Sequence, residues 1–87
     1  MRIEYTATFS KQFLRLAPPL QERFRERLEW FRTDAEDPRL RTHPLKGNLK
    51  GYWAFSVTQS IRTMFTFESK EAVRFHHWET LALVEYL

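Results

Sequence analysis

YWAFSVTQSIRTMFTF, residues 52–67, is where the chain commits to a fold. Apolar and polar side chains alternate with a period of two, as strands with one buried face require. Tyr52 to Thr58 places Trp53, Phe55 and Val57 on one side. Ile61 to Phe67 places Ile61, Thr63, Phe65 and Phe67 on one side and Arg62, Met64 and Thr66 on the other. Gln59–Ser60 turns the chain between them without the Asn-Gly signature of a tight hairpin. A two-residue turn sets Val57 opposite Arg62 and Phe55 opposite Met64, so that Arg62 shares a face with Trp53 and Phe55. A longer turn changes that register, and the sequence leaves both open.

Downstream, Glu68 to Glu71 is a polar turn before a third strand, Ala72 to Trp78, and the apolar tail Glu79 to Leu87 reads as a short docking helix. Upstream, Leu20, Phe24, Leu28 and Phe31 recur at helical spacing. They predict a helix starting at Pro19, a favoured first position, and running to Thr33. Its charged residues, Glu22 to Arg32, read as a solvated face with helpful pairs at three and four. Pro18 and Pro19 separate it from an earlier helix, Lys11 to Ala17, with Ser10 as N-cap. Arg2 to Thr6 is a short strand. The expected fold is α+β: an N-terminal strand and a two-helix hairpin packed on one face of an antiparallel sheet, with a short C-terminal helix. The other face stays open, which antiparallel sheets tolerate.

The 87 residues form a single domain, 1–87, and their 43% hydrophobic and 16% aromatic content excludes a disordered chain. With no cysteine, a disulfide scaffold and a Cys-ligated zinc site are excluded. No apolar run is long enough for a membrane helix, and no signal-peptide core opens the chain; the expectation is a cytoplasmic protein. The net charge is +3, and no Asp or Glu occurs from Pro38 to Phe67, a stretch holding Arg39, Arg41, His43, Lys46, Lys50 and Arg62. Such a field favours phosphates, and equally an acidic partner protein.

No phosphate-binding glycine loop or Ser/His/Asp nucleophile signature is present. His76 and His77 are adjacent, so on a regular strand their rings face opposite sides. His43 has no local metal partner; no metal and no cofactor are expected.

His43-Pro44-Leu45-Lys46-Gly47-Asn48-Leu49-Lys50-Gly51-Tyr52-Trp53, followed by Arg62 in Ile61–Phe65 and a closing strand Val73-Arg74-Phe75-His76, resembles the RelE/ParE superfamily of bacterial toxins. With the helical hairpin, the resemblance covers nearly the whole chain. It implies a toxin of a type II toxin–antitoxin pair with a RelE-like fold. It also implies a cognate antitoxin partner, whose acidic segment would wrap the basic surface and the apolar tail (Leu81, Val84, Tyr86 and Leu87).

RelE-like members cut messenger RNA in the ribosomal A site by attack of a ribose 2′-hydroxyl on the adjacent phosphate, without metal. That chemistry needs a base, an acid and cations around the pentavalent phosphate. The resemblance implies Arg62 as the phosphate-binding cation, with His43, His76 and His77 as candidate catalytic histidines. Lys46, Lys50 and Arg74 are candidate RNA-backbone contacts, and Trp53 and Phe55 either stack on bases or fill the core. Many members close with Gly-Thr-His; here Glu79-Thr80-Leu81 stands in its place. The alternatives are a non-enzymatic ParE-like inhibitor of DNA gyrase and a detoxified homologue that only binds an antitoxin.

Overall fold

The computed structural model describes residues 1–80; of the expected C-terminal docking helix, Glu79 to Leu87, the first two residues instead continue the last strand and the rest lies outside the described residues. The chain runs β1 (Arg2–Tyr5), α1 (Ala7–Leu14), α2 (Pro18–Thr33), a 3-10 turn (Pro38–Leu40), β2 (His43–Pro44), a second 3-10 turn (Gly47–Leu49), β3 (Trp53–Ser56), β4 (Ile61–Ser69) and β5 (Ala72–Thr80). The strands form one sheet in the order β1-β5-β4-β3-β2. β3 to β5 make the expected antiparallel meander and β2 adds an unexpected two-residue strand to its edge, but β1 joins β5 in parallel, with Arg2 opposite Ala72 and Tyr5 opposite Phe75. The sheet is therefore mixed.

α1 begins a turn earlier than expected. Thr6, not Ser10, is its N-cap: Thr6 Oγ1 accepts the Phe9 amide at 3.1 Å, and its hydroxyl donates to the His76 carbonyl at 2.9 Å. One side chain thus starts the helix and ties it to β5. α2 ends at Thr33 as read and starts at Pro18, one residue early. Gln21 Nε2 donates to the Phe13 carbonyl, joining the two helices, and Gln12 Oε1 accepts the Trp78 amide.

The core is aromatic. Phe9, Phe24, Leu28 and Phe31 from the helices meet Phe55, Val57, Phe65, Val73 and Phe75 from the sheet. Phe31 packs edge-on against Phe65 at 5.0 Å, and Trp78 lies 4.9 Å from both Phe9 and Phe24. Each such ring contributes about 1.5–3 kcal/mol by leaving water. No described helix is long and apolar enough to cross a membrane.

Candidate functional site on the open sheet face

The β3–β4 connection decides which side chains reach the open face. Val57 and Thr58 both donate their amides to the Ile61 carbonyl, and Thr58 Oγ1 accepts the Ser60 and Ile61 amides. This four-residue loop sets Phe55 opposite Thr63 and Ser56 opposite Arg62. The slip relative to a two-residue turn moves Arg62 to the other face. The aromatics turn inward: Phe55 is fully buried, and Trp53 packs against the core, edge-on to Phe67 at 5.3 Å. Of the two readings for Phe55 and Trp53, core filling is the one the structure bears out and stacking on RNA the one it corrects, because both belong to the inner face.

The histidines are corrected too. Met64 pairs with His77, but Phe65 pairs with Phe75, so His76 is an extra residue in β5. This β-bulge re-aims one side chain and puts both imidazoles on the open face. Their rings are 6.3 Å apart, and the Tyr52 ring lies 5.0 Å from that of His76 and 6.3 Å from that of His77. Thr66 Oγ1 bonds His76 Nε2 at 2.9 Å and donates to Glu68 Oε2 at 2.7 Å. That chain fixes the Nε2–H tautomer, leaving Nδ1 as the basic atom. Burial, and then the charge of His77, hold the His76 pKa below its ordinary value, so His76 is neutral at pH 7.

Arg62 stands opposite Glu79, two residues along β5 from His77, a diagonal of about 7–8 Å. Its Nε and Nη2 both donate to Glu79 Oε2, at 3.1 and 2.8 Å. Ala54 and Met64 form the buried floor of this face. Arg74 is engaged by Glu4 at 2.9 Å and Glu68 at 3.1 Å, and its hydrogen bond lowers the Glu4 pKa. His43 is exposed on β2, its Nδ1 at 2.7 Å from the Arg41 carbonyl. Three strand spacings, about 14 Å, part it from His77, so it stands apart from the bulge cluster. Lys46 and Lys50 are exposed around the Gly47–Leu49 turn, bracketed by Gly47 and Gly51 at φ 65° and 100°.

The sequence reading missed Tyr52, Thr66 and Glu79. Alternation already placed Tyr52 and Thr66 opposite the aromatics; the bulge that gathers the histidines around them has no comparable local signature. Among the described residues no group of three or more His, Asp or Glu is placed to hold a metal ion.

A mixed five-stranded sheet, helices on one face and a His/Tyr/Arg cluster on the other define a small α+β protein of RelE-like architecture. No family model matches the chain, and no curated protein matches it. Solved structures do. A YoeB/ParE toxin from Agrobacterium tumefaciens superposes with a TM-score of 0.76 at 17% identity, over 92% of this chain and 98% of that one. A mutant of YafQ from E. coli gives 0.74 at 22%, over 97% and 98%. The toxin–antitoxin complex RelBE2 from Mycobacterium tuberculosis gives 0.63 at 16%, over 91% and 95%. The chain has the fold of the RelE/ParE toxin superfamily.

Proposed function

We propose that this protein is the toxin of a type II toxin–antitoxin pair and a ribosome-dependent messenger RNA endonuclease. The observation that carries the reading is the bulge at His76, which puts two imidazoles on the open face that also holds the Tyr52 phenol and the Arg62 guanidinium. His76, neutral and held by Thr66, accepts the ribose 2′-proton at Nδ1. The 2′-oxygen attacks the adjacent phosphorus, and His77 gives its proton to the departing 5′-oxygen. Arg62 exchanges Glu79 for the phosphate and holds its developing charge. Tyr52 stacks on an unpaired base; Lys46 and Lys50 hold the backbone. A 2′,3′-cyclic phosphate and a 5′-hydroxyl result.

The test is transcript cleavage in a translating extract. His77→Gln should lower the rate about 10²–10⁴-fold, and Arg62→Ala should abolish it with the fold intact. Full cleavage by either variant would overturn the assignment.

A cognate antitoxin is the expected partner. An apolar groove of about 320 Å³ beside Phe13, Leu14 and Leu28, with Leu14 77% exposed, suits its helix. A second reading, a gyrase inhibitor that acts by binding alone, draws on the Arg62–Glu79 pair, which neutralises the cation that catalysis needs. DNA-damage signalling with intact transcripts would identify it.

A further inference from the structure

A second cationic site lies away from the histidines. A cavity of about 250 Å³ opens between α2, the Pro38–Leu40 turn and the β3–β4 loop, lined by Arg23, Arg27, Arg39, Arg41, Ser56 and Thr58 among others. Four arginines around one hollow repel each other unless something offsets them. Glu26 pairs with Arg27, and Asp37 pairs with Arg39 at 2.7 Å. Among the described residues, no carboxylate pairs with Arg23 or Arg41. Four guanidiniums against two carboxylates leave an excess of two positive charges.

The arginines are held in place by their surroundings. Arg27 and Arg39 lie over the Trp30 ring, at 4.1 and 3.7 Å from its centroid. Leu40 is fully buried between Arg39 and Arg41, so both flanking side chains project outward. Thr42 Oγ1 donates to the Ala35 carbonyl at 2.6 Å and fastens the same segment. Arg41 sits at φ 54°, ψ 42°, a left-handed conformation that a side chain rarely adopts. Thr58 Oγ1 accepts two backbone amides, which leaves its O–H proton free to donate.

We infer that this pocket binds a backbone phosphate of a single-stranded RNA. Guanidinium forks and a hydroxyl donor match phosphate oxygens. Ser56 lines the pocket and pairs with Arg62 across β3–β4, so the pocket adjoins the open face within reach of a strand bound there. The pocket thus supplies a second anchor for the RNA of the proposed function, and rests on that reading for the identity of the polymer.

The test is binding of a 2′-O-methyl oligoribonucleotide, which cannot be cleaved, to the full chain by fluorescence anisotropy over a range of salt. The double variant Arg23→Gln, Arg41→Gly suits a helix and a left-handed backbone respectively. It should bind about tenfold more weakly, with the slope of log affinity against log salt reduced by about 0.7 for each phosphate that the protein no longer neutralises. Inorganic phosphate should compete more strongly with the wild type than with the variant, which keeps only the Arg62 site. Unchanged affinity and slope, with an unchanged melting curve, would overturn the inference while leaving the cleavage chemistry standing. Wild-type protein that binds no RNA would overturn the inference, while the ribosome-dependent cleavage is judged separately in the translating extract. If polyglutamate binding depends on Arg23 and Arg41 while RNA binding does not, the pocket serves an acidic peptide and the inference fails.

Discussion

On the helix-covered side of the sheet, Phe55, Phe65 and Phe75 are fully buried against one another and against Phe31. On the other side the same strands present Arg62, Thr66, His76 and His77, all half-exposed, with Arg62, Thr66 and His76 held by polar partners. One face is fixed by volume and tolerates little change. The other is fixed by hydrogen bonds and charge, and its groups can exchange partners. The proposed chemistry therefore draws on the second face, and stability on the first.

The largest expected effect tests that division. Phe31→Ala should cost about 3–5 kcal/mol, because the ring is fully buried and its neighbours cannot close the cavity. In a domain of marginal stability that is a large share of the total. Chemical denaturation checks it. A comparable loss from His77→Gln would erase the contrast between the faces.

A smaller effect concerns Glu79. Arg62 and Glu79 are only 19% and 28% exposed in their side chains, so the pair is largely shielded from solvent and weakening it costs about 1–2 kcal/mol. Glu79→Gln should lower the melting temperature by about 4–8 °C and, by freeing Arg62, raise cleavage. A fall in cleavage would instead make Glu79 part of the chemistry.

The helix over Pro18–Thr33 was legible because Leu20, Phe24, Leu28 and Phe31 repeat at helical spacing. The strands were legible because their alternation is long and aromatic. What local pattern did not carry was register. Gln59–Ser60 reads equally as a two-residue turn or as part of a longer loop, and only Thr58, capping Ser60 and Ile61, settles it. That choice alone moves Arg62 between faces. The bulge at His76 arises from matching β5 to β4 and to β1 together, a tertiary constraint. The parallel pairing of β1 has the same origin. Arg23 and Arg27 read as part of a solvated helix face because the residues that complete their pocket, Arg39, Arg41 and Thr58, come from other elements.

The finest distinction between the faces is electrostatic and shows in pH dependence. In the folded protein His76 has a lowered pKa, through burial first and the neighbouring His77 charge second; Glu68 opposes this and Arg74 adds to it. Above about pH 6.5 the imidazole is neutral in folded and unfolded chains alike and contributes nothing to the difference. As the pH falls through that value the unfolded chain takes up the proton first, so folding is progressively disfavoured until the folded pKa is passed. Wild-type stability should therefore decline as the pH falls below about 6.5, and His76→Gln should flatten that decline. Glu4 and Asp37, whose pKa values are lowered by Arg74 and Arg39 respectively, act in the same direction but only at lower pH, as carboxylates protonate. Urea unfolding of both proteins at several pH values separates the two windows. Equal slopes for wild type and variant just below about pH 6.5 would mean that folding leaves the His76 titration unchanged, and the base on the open face would have to be sought elsewhere.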